Sequence, residues 1–447
     1  MGATRRLAEF IHDLSYDDIP ENTIAKAKLL FLNWAGVTVG GYVDGQSEMN
    51  PMVEALSPFF GQPQATLITK KKKIDLINAT LINGTASHYL DFDDDDFGKG
   101  IGHPGPPVIP AAVAMGEYRE VNGKKLIEAI VAGVEAGGRI GDSVRPEHYN
   151  IGWHGTATLG IFGACAAAAK IIGLSADKIV TSLGITGTQA AGLRQSFGTT
   201  CKPLHAGKAA SNGTLAVVLA ENGFTAPQQI LEGDWGFGRV LSPKFDETKI
   251  NNFGQPFKIE DVVYKRYPSC YDTHAHIWCI LGIRDKYQLK VSDVVSVTMK
   301  ASSFAYMNCN NPQPKTGLEG KFSIRYCAAL ALLKGKARVL DFTVEAVKAP
   351  EIREAMAKIN VIPDKSLKKY EAEVCIKTTD GKEIKERLNL MNLELKVSIA
   401  EWESMLEAKC GDLMQGAFPS NKVSNIISAI EKLEEIDNIK NVVELMS

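Results

Sequence analysis

The segment GIFGACAAAAKII at residues 160–172 constrains the fold more than any other part of the chain. It has the length of a helix, and small or apolar residues occupy nearly every face of that helix. A helix without a polar face belongs in the interior of a protein, and its Ala and Gly residues let neighbouring helices approach closely. The segment therefore predicts a helical body that surrounds it.

Hydrophobic periodicity changes along the chain and indicates two kinds of architecture. Up to about residue 262 the apolar residues recur mostly at helical spacing, as they do in residues 126–140. Residues 291–300 and 370–379 instead alternate in part with a period of two, which is typical of strands. The Asp380-Gly381 pair that follows is a good signal for a hairpin turn.

The remaining segments complete this division of the chain. Residues 322–333 and 344–359 have helical spacing, so the part that contains the strands is α+β, and residues 399–446 return to amphipathic helix. A chain of 447 residues is also too long for one ordinary core. We therefore predict a mostly α fold, a large all-helical body with an inserted smaller α+β lid domain. The predicted boundaries assign residues 1–263 and 398–447 to the body and residues 264–397 to the lid.

Charge and composition exclude several classes of partner. The formal net charge is -2, from 50 Lys and Arg against 52 Asp and Glu, so nothing global attracts nucleic acid or an anionic membrane. The first residues lack the apolar run of a secretory signal, and we find no apolar stretch of about 18 residues that would span a bilayer. We therefore expect a cytoplasmic protein without nucleic-acid or membrane partners.

The eight cysteines are scattered, and no two form a C-x-x-C pair. This spacing argues against a zinc cluster or a disulfide framework and fits a reducing compartment. An affinity for an anionic substrate must then come from cationic side chains placed locally.

The densest polar segment is NGTASHYLDFDDDD at residues 83–96, followed by GHPGPP at residues 102–107. Its five carboxylates cannot all be buried as charges unless they are paired, hydrogen-bonded or metal-bound. The segment is an acidic solvent-facing loop, a helix end fixed by hydrogen bonds, or a site loop whose aspartates orient a histidine or lysine. The spacing is not that of a calcium loop, and His103 is a poor partner for a hard cation, so we predict no metal.

A second segment, YNIGWHGTAT at residues 149–158, places His154 just ahead of the small-residue helix. At a helix N-terminus the macrodipole keeps an imidazole neutral, so that it can act as a base or a hydrogen-bond donor. A purely structural cap is the alternative.

The third segment, residues 193–213, brings Arg194, Lys202, His205 and Lys208 together, with glycines on either side. Its Pro and Gly residues predict a loop, with a helix starting near Ala209 whose N-terminus attracts carboxylate. No P-loop pattern is present. The segment is either a basic surface loop or a partly buried site, where a desolvated lysine with a depressed pKa serves as a base.

The fourth segment, YKRYPSCYDTHAH at residues 264–276, lies at the predicted junction of body and lid, where ligand sites are common. His274 or His276 can point into such a site, with Lys265 as an anion contact. Alternatively, the segment is a linker whose histidines only cap or pack. Cys270 with these histidines suggests a nucleophile, but no oxyanion-hole motif accompanies it.

Taken together, these segments resemble those of the MmgE/PrpD family, which includes 2-methylcitrate dehydratase, cis-aconitate decarboxylase and iminodisuccinate epimerase. The matching segments follow the family order over nearly the whole chain: NGTASHYLDFDD with His103-Pro104, GWHGTATLG, GLRQSFGTTCKPLHAG, KRYPSCYDTH and KFSIRYCA. Two departures stand out. Gly155 occupies a position where proline is usual, and Asp95 follows the DFDD acids where the family often has threonine.

The resemblance implies a dimeric enzyme, with the site in the cleft between a helical body and an α+β lid, and neither a metal nor an organic cofactor. The side chains it implies as catalytic are Asp91, His103, His154, Lys202 and His274. The candidate substrate-binding residues are Arg194, Lys208, Lys265 and Asp95.

The chemistry implied is proton transfer next to a carboxylate of a small di- or tricarboxylic acid. Without a metal, such a site needs several cations or strong donors around the carboxylate. We expect a lyase, a dehydratase or decarboxylase, with Lys202 and the histidines sharing the acid and base roles and Asp91 orienting a partner. The alternative is an epimerase of an iminodisuccinate-like dicarboxylate, because Asp95 would repel a fully ionised tricarboxylate and help to bind an amine.

Overall fold

The structure is a computed structural model that describes residues 1–447, and it is mostly helical. Helices account for 60% of the residues and strands for 9%, which confirms the predicted fold class. The helices before residue 263 are α1 (Ala3–Asp13), α2 (Glu21–Asp44), α3 (Gln46–Leu56), α4 (Leu76–Tyr89), α5 (Gly105–Arg119), α6 (Gly123–Val144), α7 (Glu147–Asn150), α8 (Gly155–Thr158), α9 (Gly160–Ile172), α10 (Ala176–Gly187), α11 (Cys201–Glu221) and α12 (Phe237–Val240).

The second half of the chain alternates helices with strands and then returns to helices. Its helices are α13 (Tyr271–Tyr287), α14 (Ser303–Cys309), α15 (Gly317–Gly320), α16 (Ile324–Lys334), α17 (Val344–Lys348), α18 (Pro350–Ala357), α19 (Met391–Glu394), α20 (Ile399–Met414), α21 (Ser420–Glu431) and α22 (Lys440–Leu445). The strands of the whole chain are β1 (Ala65–Leu67), β2 (Lys72–Ile74), β3 (Asp94–Asp95), β4 (Val263–Tyr264), β5 (Val294–Ala301), β6 (Ile359–Pro363), β7 (Glu371–Thr378) and β8 (Glu383–Asn389).

Helix α9 lies at the centre of the helical packing, as its composition predicts. It packs against α5, α6 and α11, and its residues are buried up to Ile171. Helix α11 in turn packs on α4, where a Cβ added at Gly207 would lie 2.1 Å from the carbonyl oxygen of Leu81. The small residues therefore set how closely these helices approach.

The four-stranded sheet has the order β6-β5-β7-β8 and falls within residues 294–389. Strands β5 and β6 are parallel, whereas β5 with β7 and β7 with β8 are antiparallel. The predicted hairpin joins β7 to β8, with Gly381 at a φ of 86°. Helix α13 packs against β7 and β8, and α20 packs back on α2, so the last helices lie against the first long one.

Three sequence predictions are corrected by the helix bounds. The many Asp, Gly and Pro residues of segment 91–110 predict a loop as far as Pro110, but that loop ends at Gly105, where α5 begins with Pro106 and Pro107 in its first turn. Similarly, α11 begins at Cys201, not near Ala209, with Pro203 in its first turn. Proline is tolerated there because the first N–H groups of a helix have no intrahelical partner. The helix predicted over residues 344–359 is broken by Pro350, which starts α18.

The chain does contain one apolar stretch of membrane-spanning length, contrary to the prediction. Residues Gly155–Ile172 reach 18 residues, and 94% of this window is buried inside the protein. The surrounding helices explain why so apolar a segment occurs here.

Candidate active site

A small, partly enclosed cleft is lined by segments from both halves of the chain. Its hydroxyl-bearing, thiol and ionisable side chains are Asp95, His103, Arg145, Tyr149, His154, Thr156, Lys202, Cys270, Tyr271, Asp272, Lys369 and Tyr370. The predicted residues His103, His154, Lys202 and Asp95 therefore share one cleft.

Lys202 and Asp91 form a buried ion pair at one end of the cleft. Asp91 follows α4 in a left-handed conformation, with a φ of 51°, and its Oδ1 accepts a hydrogen bond of 2.8 Å from Lys202 Nζ. The Nζ of Lys265 donates to the same oxygen. Burial alone would raise the pKa of Asp91, but the two ammonium groups hold that pKa well below its ordinary value. Asp91 is thus a carboxylate, and it holds the cationic end of Lys202 at the cleft wall.

Three buried lysines, here called the lysine clamp (Lys265, Lys321 and Lys409), fix the backbone that carries Asp91. Lys321 donates to the carbonyl of residue 90 at 2.6 Å, Lys265 to that of residue 91 at 3.2 Å, and Lys409 to that of residue 92. Burial lowers the pKa of both Lys321 and Lys409 to about 7. Because three consecutive carbonyls are bound, this part of the loop cannot shift without leaving buried lysines unpaired.

His103 presents a neutral imidazole to the cleft. Its Nδ1 lies 2.6 Å from the carbonyl oxygen of Asp94 and therefore carries the proton, which leaves a lone pair on Nε2. Burial first, and then the charge of Lys265, hold the pKa of His103 well below its ordinary value. The free lone pair on Nε2 is available to accept a proton.

Asp93 connects His103 to a second imidazole. Its Oδ2 accepts from His88 Nδ1 at 2.9 Å and lies 3.3 Å from His103 Nδ1. One ligand atom from each of these three side chains lies within 4.8 Å of the others, a spacing that can also hold a metal ion. The Nδ1 of His103 faces the carbonyl of Asp94 as a donor, however, and the Nδ1 of His88 donates to Asp93, so both of these nitrogen atoms are already hydrogen-bonded.

His154 precedes α8 and lies close to His205. The two Nδ1 atoms are 3.1 Å apart, so one ring donates to the other, and the rings of His154 and Phe197 are nearly perpendicular with centroids 5.1 Å apart. Burial first, and then Lys202, hold the pKa of His154 well below its ordinary value. The prediction that His154 is neutral at a helix start agrees with this environment, although α8 has only four residues.

The other aspartates of the acidic segment are mostly structural. Asp94 Oδ2 accepts from the backbone N–H of Gly105 at the start of α5, and Asp96 Oδ2 accepts from two glycine N–H groups. Asp95 differs, because it is the one aspartate of the segment on the cleft wall. Burial, with a further contribution from Asp96, raises the pKa of Asp95 to about 7.

Sequence reasoning missed two cations of the cleft. Arg145 follows α6, and its Nη1 donates to the carbonyl of Gly98 at 2.8 Å. Lys369 immediately precedes Tyr370 and β7, and its Nζ donates to the carbonyl of Phe97 at 3.0 Å. Both lie outside the short sequence segments that resemble those of the family, and no local pattern distinguishes Lys369 from its neighbour Lys368.

Five of the predicted site residues lie outside the cleft lining, Asp91 among them, since it reaches the cleft only through Lys202. The Nε2 of His274 donates to the carbonyls of Tyr267 and Ser269, and its ring stacks on Tyr271, which does line the cleft. Lys208 is exposed on α11. Lys265 is buried against Asp91, and Arg194 donates to residues 149 and 308 behind the cleft wall.

Comparison with known proteins gives matches along the whole chain. Residues 5–249 match the MmgE/PrpD N-terminal domain, and residues 267–435 match the MmgE/PrpD C-terminal domain. The cis-aconitate decarboxylase of Mus musculus is 25% identical over 99% of this chain and 93% of its own length. The enzyme of that name from Homo sapiens is 24% identical over 97% and 92%, and one from Aspergillus terreus is 26% identical over 80% and 78%.

Proposed function

Because the chain belongs to the MmgE/PrpD family, we propose that it is a lyase that acts on a small polycarboxylate by proton transfer next to a carboxylate. Relatives named as decarboxylases support a lyase. One observation carries the proposal: the ammonium of Lys202 and the neutral ring of His103 line the same buried cleft.

The cations of the cleft match the charge that this reaction develops. A proton next to a carboxylate is weakly acidic, because its removal leaves a second negative charge on the substrate. Lys202, Arg145 and Lys369 would hold the carboxylates and the developing charge against the protein wall of the cleft, where such contacts are stronger than in bulk water. Removing one donor of this kind typically costs about 10²–10³ in rate.

We assign the base role to His103 and the electrostatic role to Lys202. The lone pair on His103 Nε2 would take the proton, and Asp93 together with the Asp94 carbonyl would keep the ring in the required tautomer. In a dehydration, the ammonium of Lys202 would protonate the departing hydroxide. In a decarboxylation, CO₂ would leave and the same acid would protonate carbon.

Our proposal includes no metal and no organic cofactor, since side chains are available for each step. We further propose that Asp91 orients Lys202, that the protein is cytoplasmic and that it forms a homodimer. The homodimer is tested by sedimentation or light scattering of the purified chain.

Epimerisation is the second candidate, and Asp95 is the observation that favours it. An additional carboxyl on the cleft wall would suit a substrate that carries an amine, and removal and return of one proton uses the same groups. Nothing would leave the substrate in that reaction.

The test is an NMR assay of the purified protein in D₂O with citrate, 2-methylcitrate, cis-aconitate and iminodisuccinate. A lyase gives a new alkene, or a decarboxylated product with deuterium at carbon. An epimerase gives exchange with inversion and no loss of atoms. We expect a lyase product from at least one acid. If all four acids remain unchanged and unexchanged, the proposed reaction class is wrong.

A further inference from the structure

A chain of hydrogen bonds behind the cleft wall ends at Asp272. The Nη2 of Arg194 donates to Asn308 Oδ1 at 2.5 Å, and Asn308 Nδ2 donates to Asp272 Oδ2 at 2.7 Å. Arginine has no acceptor, so the amide oxygen of Asn308 must face Arg194 and its NH₂ group must face Asp272. The orientation of the amide therefore makes Asp272 Oδ2 an acceptor.

Arg194 is itself held firmly. Its guanidinium lies 4.0 Å from the ring centroid of Tyr149, and its Nη1 donates to the carbonyl of the same residue at 3.0 Å. A planar group fixed by stacking and by two hydrogen bonds positions its partner with little freedom. Arg194 thus acts on the cleft through Asn308, not by direct contact.

The second oxygen of Asp272 has no partner. Asp272 is 6% exposed and lines the cleft, and its Oδ1 is buried without a hydrogen bond. A buried acceptor left unpaired costs free energy, so a ligand that donates to it recovers that cost. Thr156 Oγ1 and Arg145 Nε, on the same lining, are also buried without partners. The cleft therefore lacks both a donor for Asp272 and an acceptor for Arg145.

We propose that Asp272 is a specificity-determining residue that accepts a hydrogen bond from an O–H or N–H group of the substrate. The inference rests on the proposed function, because the carboxylates of the substrate are assigned to Lys202, Arg145 and Lys369. The substrate class is then a hydroxy- or amino-polycarboxylate, and a polycarboxylate without such a donor binds less tightly.

The charge around Asp272 agrees with this assignment. Burial raises the pKa of Asp272, and Lys369, Asn308 and Arg194 oppose that effect. A donor on the substrate adds a further contact that favours the carboxylate form. A second carboxylate of the substrate at this point would instead face Asp272 at close range and be repelled.

The test compares ligands that differ by one donor. Succinate, malate and aspartate share a dicarboxylate frame and carry no donor, a hydroxyl and an amine, respectively; tricarballylate and citrate form a second pair. Dissociation constants are measured by calorimetry with the wild-type protein, Asp272→Asn and the control Asp341→Asn. Asp341 is a buried carboxylate that pairs with Lys334 outside the cleft lining.

We expect the wild-type protein to bind malate or aspartate at least about tenfold tighter than succinate, the size of one hydrogen bond to a charged group. The comparison of malate with aspartate tells a hydroxyl from an amine. In Asp272→Asn the preference should fall to within about threefold, because the amide presents NH₂ to the cleft. Asp341→Asn should keep the wild-type preference.

Two outcomes overturn the inference alone: equal binding of all ligands by the wild-type protein, or a preference that survives Asp272→Asn. If none of these acids binds the wild-type protein, the polycarboxylate proposal itself fails. Should Asp272→Asn not fold, Asn308→Leu takes its place, because it releases Asp272 Oδ2 without changing a charge. That variant should lose part of the same preference, and an unchanged preference would contradict the inference.

Discussion

Replacing Lys202 by methionine removes an ammonium group from the cleft and keeps a side chain of similar length. In the folded protein Lys202 Nζ has one hydrogen-bond partner, Asp91 Oδ1 at 2.8 Å, and it lies over the rings of Phe197 and Phe322 at 5.8 and 5.2 Å. Methionine can fill the same space between these rings. The change therefore removes charge more than packing.

The expected loss of activity follows from the role assigned to the ammonium group. One donor to a developing negative charge is worth about 3–4 kcal/mol of the barrier, so kcat should fall about 10²–10³-fold. The loss becomes larger if Lys202 also delivers the proton, a step worth about 10²–10⁴-fold. Removing the sole partner of a buried charge costs about 3–5 kcal/mol of stability. Asp91 keeps Lys265, so the free energy of unfolding should fall by less than that.

The assay is steady-state turnover of whichever acid proves to be the substrate, together with urea unfolding of each variant. Lys208→Met is the matched control, since Lys208 lies on the same helix but is exposed. It should keep wild-type kcat and wild-type stability. A folded Lys202→Met variant whose kcat stays within about threefold of the wild type would refute the reasoning and remove Lys202 from the mechanism.

Three further predictions concern stability. Burial lowers the pKa of seven of the eight histidines, so below about pH 6.5 the unfolded chain binds more protons than the folded protein does. The free energy of unfolding should therefore fall as pH decreases from about 7 to 5, by up to about 1.4 kcal/mol per pH unit for each ring. The raised pKa values of Asp94, Asp95 and Asp272 oppose this slope, and a melting temperature that rises on acidification would contradict the prediction. Lys409→Met should lower the free energy of unfolding, measured in urea, by about 3 kcal/mol, because it leaves two backbone carbonyls and the amide oxygen of Asn33 without their donor. A decrease below about 1 kcal/mol would show that the lysine clamp contributes little to stability. Gly207→Ala should lower the free energy of unfolding by about 1–3 kcal/mol, since the added Cβ would meet the carbonyl of residue 81 in α4. An unchanged free energy of unfolding would show that α4 and α11 can move apart without loss of stability.

Periodicity and composition predicted the architecture where local and tertiary signals agree. The interior helix α9, the strands β5 and β7 and the hairpin at Gly381 all appear close to their predicted positions. Proline misled the prediction at α5 and α11, because the same residue marks a loop or the first turn of a helix. Sequence spacing alone does not separate these two cases.

The sequence predicted those residues of the candidate site that lie in the short segments resembling the family. Those segments contain His103, His154, Lys202 and Asp95, all of which line the cleft. Lys369 reaches it only because β7 lies beside the segment that follows the acidic run, a contact across 272 residues that no local pattern encodes. The catalytic roles predicted for Asp91 and His274 stay predictions. Asp91 lies behind Lys202 and His274 lies behind Tyr271, so neither lines the cleft.

The two halves of the chain contribute different things to the cleft. His103 and Lys202, to which we assign the proton transfers, come from the first half, whereas Asp272, Lys369 and Tyr370 come from the second. A gene of this kind can therefore acquire a new preference among acids by changes after residue 264 while the reacting groups remain untouched. Exchanging the second half between relatives is accordingly a direct route to altered selectivity on an unchanged chemical step.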